Sequence, residues 1–169
     1  MLITLEELRE HPVRFEEKYA PGRIDYATAG LRQVGDLQVR GAASLLGREI
    51  HVKGNLGADF QMECARCLEP VNVPVRRQFD LFYVPLEEAP EEDEQAVPRG
   101  EEDVGFYSGE ALVLEDVAKE QVLLSLPMRT VCREDCKGLC PTCGINRNRE
   151  TCQCRETYTD PRWEALKKF

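Results

Sequence analysis

The sequence predicts an α+β protein: a curled antiparallel β-sheet or small barrel with flanking helices and a cysteine-rich module toward the C-terminal end. Three observations predict it. Between about Arg23 and Val84 the apolar residues recur at every second position, the period of half-buried strands. The segments on either side carry helix-start signals and helical apolar spacing instead. The eight cysteines fall in four close pairs, a pattern that neither period explains.

The first element is read as a helix. Thr4 followed by Glu7 is a capping-box pair, and Leu5 and Leu8 begin an apolar face. Pro12 bends or restarts this helix, and PVRFEEKYAPG carries it to Pro21-Gly22. The strands follow. In REIHVKGNLGADFQMEC the apolar positions are Ile50, Val52, Leu56, Ala58, Phe60 and Met62; in VNVPVRRQFDLFYV they are Val71, Val73, Val75, Phe79, Leu81 and Tyr83. Leu37 and Val39 mark a third strand, and Gly54, Gly57 and Pro74 suggest bulges or edges. ECARCLEP falls between the last two strands, so Cys64 and Cys67 are placed at a hairpin tip.

Residues 87–108 read as an acidic linker, with two prolines and few apolar residues. ALVLEDVAKEQVLLSLP then reads as an amphipathic helix with Leu114, Val117, Gln121 and Leu124 on one side and Pro127 closing it. After the cysteine-rich stretch from Cys132 to Cys154, Asp160-Pro161 starts a last helix bearing Trp163 and Leu166. Three regions result: residues 1–86 as a helix and β domain with a C-x-x-C tip, 87–108 as linker, and 109–169 as a helix, a cysteine-rich module and a C-terminal helix.

Charge is unevenly placed. The net charge is −9, but residues 87–103 alone hold nine acids and one arginine, or −8, leaving 22 acids against 21 bases elsewhere. From Met128 onward nine Lys or Arg face six Asp or Glu, a modest surplus. A nucleic-acid binder usually shows a stronger basic patch. The apolar runs are too short to span a bilayer, and MLITLEELRE lacks the basic and apolar regions of a secretory signal, so a cytoplasmic protein is expected.

Reduced thiols at these spacings favour metal ligation over disulfides. The pairs are Cys64/Cys67, Cys132/Cys136, Cys140/Cys143 and Cys152/Cys154, enough for two four-thiolate zinc sites with none left over. The C-terminal module then becomes a zinc-knuckle module. The sequence-local pairing joins 140/143 with 152/154 and leaves 132/136 for 64/67; the alternative joins 132/136 with 140/143. Pro141 and Gly144 suit the turn around a metal, and turn amides can donate to sulfur. Arg66, Arg129, Arg133, Lys137, Arg147 and Arg149 lie close in sequence, suited either to offset thiolate charge or to meet RNA phosphate.

No catalytic constellation is visible. Cys64 and Cys67 lie between strands rather than in the βαβ context of a redox C-x-x-C, and His11 and His51 are remote from every cysteine. His51 falls on the polar side of its strand. Catalytic zinc typically keeps an open position beside His or carboxylate ligands. A non-enzyme without a small-molecule substrate is expected.

The string ECARCL, then LSLPM, CREDCKGLCPTCGINRN, CQC and DPRWEAL resembles the YceD-like family of bacteria and plastids over nearly the whole chain. The resemblance implies a role in accumulation of large-subunit ribosomal RNA, through its processing or stability, within ribosome biogenesis, and implies no known catalytic residues. Some members keep only the C-x-x-C equivalent to Cys64 and Cys67, which fits two separable metal sites. Expected partners are pre-ribosomal large-subunit RNA or a large-subunit ribosomal protein, with no membrane. The alternative is a zinc-stabilised protein–protein adaptor that acts on RNA indirectly; the near-neutral body favours it.

Overall fold

The computed structural model describes residues 1–28, 30–86 and 104–154. The chain forms two compact units, one from Met1–Met62 and Asn72–Met128, the other from Glu63–Val71 and, among the described residues, 129–154. Architecture is α+β and mostly sheet. The helix expected from Asp160 and the acidic run 87–103 lie outside the described residues.

The first unit opens with strand β1 (Leu2–Thr4) and helix α1 (Leu5–Glu10). The capping box is present: Thr4 Oγ1 accepts the Glu7 amide at 3.2 Å, and Glu7 Oε2 accepts the Thr4 amide at 3.2 Å. The Thr4 hydroxyl, which donates to Glu7 Oε2 at 2.8 Å, and the Thr4 amide together hold the Glu7 carboxyl below its ordinary pKa. The helix does not restart after Pro12, as the sequence had suggested. Val13–Tyr19 form strand β2, with Val13, Phe15 and Tyr19 buried on one face. Two-residue spacing wins because those three side chains reach the core only from an extended backbone.

Strands β3 (Arg32–Gln33), β4 (Leu37–Leu46), β5 (Glu49–Glu63) and β6 (Pro70–Pro85) follow. Nine of the twelve apolar positions expected from alternation are buried, Ile50, Val52, Leu56, Ala58 and Phe60 on β5 and Val75, Phe79, Leu81 and Tyr83 on β6, whereas Met62, Val71 and Val73 are half-buried. Residues 104–107, placed in the linker by composition, form strand β7 (Val104–Tyr107), which pairs with β6 in parallel, from Phe82↔Val104 to Pro85↔Tyr107. β2–β4, β3–β5 and β4–β5 are antiparallel, so β7 is a departure from the expected all-antiparallel sheet. The 17 residues 87–103 give the length that a parallel return demands, a dozen or more.

The sheet order is β2-β4-β5-β6-β7, with β3 beside β5. Among the described residues this path is open and does not close into the small barrel that the alternation also allowed. Two of its strands approach closely at a glycine pair. Gly41 and Gly54 face each other across β4 and β5, and a Cβ on Gly41 would meet Lys53 O, with Phe15 Cζ at 2.7 Å. A Cβ on Gly54 would meet Arg40 O, with Phe79 Cζ at 2.9 Å. Two aromatic rings thus occupy the space that side chains on the glycine pair would need. Pro74 is exposed and lies outside the 82–85 stretch of β6 that pairs with β7, so its missing N–H costs no ladder bond on that side.

A second, two-stranded sheet pairs β1 with β8 (Ala111–Val113), which leads into helix α2 (Leu114–Ser125). The face α2 buries is Leu114, Val117, Ala118, Gln121 and Val122. Leu124, expected on that face, is 60% exposed. At i+3 from Gln121 it lies on the flank, whereas Val122, at i+8 from Leu114, holds the stripe. Gln121 is buried because its Oε1 accepts Arg77 Nε at 2.8 Å. One apolar core fills this unit, with Phe60, Ile3, Leu37, Ile50 and Leu114 among its fully buried side chains. Each such burial contributes about 1.5–3 kcal/mol.

Candidate metal centre

All eight cysteines belong to the second unit, because the tip between β5 and β6, Glu63–Val71, is grouped with the chain from Arg129 on. The thiols assemble as two tetrads: Cys64, Cys67, Cys132 and Cys136 in one, Cys140, Cys143, Cys152 and Cys154 in the other. Within each, the sulfurs all lie within 4.8 Å of one another. The sequence-local pairing is therefore the one present, and the set that would join 132/136 to 140/143 is absent.

Local hydrogen bonds build the first tetrad. Cys64 N–H donates to Glu69 O at 2.8 Å and Leu68 N–H to Cys64 O at 2.9 Å, closing the tip with Leu68 at φ +61°. Ala65 N–H donates to Thr130 O at 2.8 Å, which brings Cys132 alongside. Arg66 Nη1 donates to Glu134 O and Cys136 O, both at 2.9 Å, and Arg66 O accepts Leu139 N–H at 3.0 Å. Gly138, at φ +71°, passes so close that a Cβ would lie 2.9 Å from Arg66 O. Cys64, Cys67 and Cys136 are buried, and Cys132 is exposed.

The second tetrad is a tight loop. Gly144 N–H donates to Cys140 O at 2.9 Å and Cys140 N–H to Ile145 O at 2.8 Å. Gly144 takes φ +75°, the left-handed backbone expected of it. Leu139 and Asn146 form a bridge beneath this turn. Cys140 is buried, whereas Cys143 and Cys154 are exposed.

The sulfur geometry fits a tetrahedral cation. With metal–sulfur bonds of about 2.3 Å, the edge of a tetrahedron is about 3.8 Å. Cys64 and Cys136 sulfurs are 3.9 Å apart, and Cys67 and Cys132 sulfurs are 3.6 Å apart. A disulfide would need about 2.05 Å, and all eight cysteines are free. Donors point at sulfur as well: Cys132 N–H lies 3.3 Å from Cys64 Sγ, and Asn148 Nδ2 lies 3.3 Å from Cys136 Sγ. Such bonds spread thiolate charge.

Electrostatics within each tetrad are split. Burial opposes charge on Cys64, but amides of Arg66, Cys67 and Cys132 outweigh it and bring the thiol down to about 6. The amides of Cys143 and Thr142 bring Cys140 to about 6. Burial and neighbouring sulfurs push Cys132 up to about 12, and the Cys143 sulfur, with burial, pushes Cys154 up to about 12. Some sulfurs ionise readily while their neighbours resist, as happens when four acids share one small volume. A divalent cation at the centre removes that conflict. Each tetrad could hold a metal ion, an arrangement compatible with two zinc ions.

Sequence reasoning missed Asn148 and Asn146. Asn148 Oδ1 accepts Lys137 N–H at 2.8 Å and Arg133 Nη2 at 2.9 Å, while Asn146 Oδ1 accepts both Asn148 N–H and Nδ2 at 2.9 Å. The signal available was the pair of asparagines in GINRN, a residue type that folds local turns. The neighbouring cations serve several ends. Arg66 braces main-chain carbonyls, Arg133 reaches Asn148 and Asp135, and Arg149 pairs with Glu69 at 2.5 Å. His51 lies in the first unit, stacked on Phe82 at 4.5 Å and bonded to Asp80. Among the described helices none is long and apolar enough to cross a membrane.

Comparison with known proteins finds relatives by sequence. An uncharacterized protein of Mycobacterium tuberculosis, Rv2926c, is 34% identical over 152 residues, covering 88% of this chain and 69% of that protein. The uncharacterized protein YlbN of Bacillus subtilis is 21% identical over 170 residues, covering 99% of this chain and 94% of that one. The uncharacterized protein ML1660 of Mycobacterium leprae is 31% identical over 99 residues, 58% of this chain and 43% of its own. No solved structure matches. A family profile matches residues 52–169, a span that takes in both cysteine tetrads, and by that match the chain belongs to the YceD family, described as large ribosomal RNA subunit accumulation protein.

Proposed function

We propose that the protein is a non-catalytic ribosome-assembly factor that supports processing, stability or accumulation of large-subunit ribosomal RNA. In this reading two zinc ions, held by Cys64, Cys67, Cys132 and Cys136 and by Cys140, Cys143, Cys152 and Cys154, shape its binding module. One observation carries the structural role of the metal. Among the described residues, the buried cluster of the second unit consists of Cys64, Cys67 and Cys136, with Val71, Val131 and Leu139 packed against it. A core that small does not hold a fold by itself, and structural zinc supplies the missing free energy, about 10–16 kcal/mol in small zinc peptides. With four sulfur donors in each set, the donor chemistry is that of closed structural sites rather than catalytic ones.

The family description supports the process, and the partner is pre-ribosomal large-subunit RNA or a large-subunit ribosomal protein in the cytoplasm. A second reading is a protein–protein adaptor that acts on RNA indirectly. It is favoured by the near-neutral charge outside residues 87–103, where 22 acids face 21 bases. Gradient co-sedimentation of the tagged protein with pre-ribosomal particles, followed by crosslinking, tests both. Crosslinks to large-subunit RNA whose yield falls steeply with salt support direct phosphate contact. Crosslinks to protein alone support the adaptor. Absence from all ribosomal particles, with unchanged large-subunit RNA in a deletion strain, rejects both.

A further inference from the structure

The loop between Cys143 and Cys152 joins two halves of one tetrad, yet its side chains reach the other. Asn148 lies in this loop, and its Nδ2 donates to Cys136 Sγ at 3.3 Å. Its Oδ1 accepts from Lys137 N and Arg133 Nη2, at 2.8 and 2.9 Å, both on the segment that carries Cys132 and Cys136. Asn146 Oδ1 holds the Asn148 side chain from within the loop at 2.9 Å. Two further ties run the same way. Arg147 N–H donates to Gly138 O at 2.9 Å, and Arg149 pairs with Glu69, whose carbonyl accepts Cys64 N–H at 2.8 Å.

We propose that the two tetrads bind metal cooperatively, with Asn148 the positioning residue through which loading of the second tetrad strengthens the first. The inference rests on the zinc reading above. Metal in the second tetrad ties down both ends of the eight-residue loop 144–151, so Asn148 meets Cys136 at little further entropic cost. Without that metal the end bearing Cys152 and Cys154 is released, and ordering Asn148 must be charged to the first site. The effect is reciprocal, because a coupling between two equilibria acts equally on each. Partners that orient ligands and donate to them commonly change metal affinity by about 10–100-fold.

The test is chelator competition on the full reduced chain loaded with zinc, which resolves two release steps. Cys67→Ser, whose first site is weakened and releases metal early, assigns the step of the second; Cys154→Ser likewise assigns that of the first. The expected result is that the first site weakens by about tenfold or more in Cys154→Ser, and by a similar factor in Asn148→Ala, where the step of the second site falls to the value it has in Cys67→Ser. Combined, the two substitutions weaken the first site no further than the larger single effect, since both cut one link. Asn148→Asp keeps the acceptor, loses the donor and sets a negative charge beside Cys136, so it weakens the first site more than Asn148→Ala does. With cobalt in place of zinc, Asn148→Ala shifts the thiolate-to-metal charge-transfer band of the parent chain but leaves that of Cys67→Ser unmoved. A first-site affinity within twofold of the parent in Cys154→Ser, or additive losses in the double variant, overturns the coupling. A parent chain that binds less than one zinc with all thiols reduced overturns the metal reading itself, a result distinct from two independent steps.

Discussion

Replacing Cys64 with serine separates the two tetrads. Cys64 is fully buried, its sulfur lies 3.9 Å from that of Cys136, and it accepts the Cys132 amide at 3.3 Å. Serine keeps a hydrogen-bond acceptor but offers a hard, protonated oxygen where the site needs a thiolate. Zinc binding contributes about 10–16 kcal/mol in four-ligand peptides, and losing one donor in four removes roughly 3 kcal/mol of it. At about 1.4 kcal/mol per decade, that is about a hundredfold in site affinity and in local opening. Native-state hydrogen exchange reads the change at named amides. Cys64 and Ala65, bonded to Glu69 O and Thr130 O, and Leu139, bonded to Arg66 O, should exchange about a hundredfold faster. Cys140 and Gly144, bonded to Ile145 O and Cys140 O, report the second tetrad and should change far less. Amides of the first unit, whose core includes none of the eight cysteines, should be unchanged. Zinc content should fall from two toward one when free zinc is buffered low. If Cys64→Ser retained two tightly held zinc ions with Ala65 and Leu139 still protected, the assignment of Cys64 as a ligand would be wrong.

Zinc binding should release protons. Cys67 and Cys132 in one tetrad, and Cys152 and Cys154 in the other, have pKa values raised above the ordinary thiol range, whereas Cys64 and Cys140 sit near 6. Near pH 7.5 the raised groups are protonated in the metal-free protein and must ionise to bind, so affinity rises with pH, with at least two protons released per zinc. Calorimetry in buffers of different ionisation enthalpy counts them, and a count near zero contradicts the thiolate assignment. Gly41→Ala should destabilise the first unit by about 1–3 kcal/mol in urea titrations, because the new Cβ meets Lys53 O and Phe15; a neutral outcome removes the steric account of the pinched strands. Phe60→Ala should cost about 3–5 kcal/mol by the same measurement, since the ring is fully buried and meets Tyr26 edge-on at 5.4 Å. Exchanging residues 87–103 for a neutral Gly/Ser linker of equal length should leave zinc content and folding intact; lost RNA accumulation with normal folding would assign that charge to a basic protein partner.

The sequence by itself determined the eight thiols and their division into close pairs, because ligand spacing of two to four residues is local chemistry. It also determined the inner faces of β5 and β6, where long alternation admits one register. The helix cap at Thr4 was legible for the same reason: its donors and acceptors lie three residues apart. Beyond Pro12 a helix-biased reading failed, because three apolar residues at alternate positions do not declare themselves a strand until β4 lies beside them, Phe15 opposite Gly41. β7 is four residues long and stands as a strand through its pairing with β6, a neighbour more than a dozen residues away. Which cysteine pair joins which was decided by tertiary contacts: Ala65 on Thr130 O and Arg66 on Glu134 and Cys136 carbonyls bring together thiols separated by 65 to 72 positions. Asn148 is the clearest case. Its identity suggests a turn, but its placement on Cys136 depends on a loop closed around one tetrad leaning on the segment that carries the other, and such long-range geometry leaves no period in the chain.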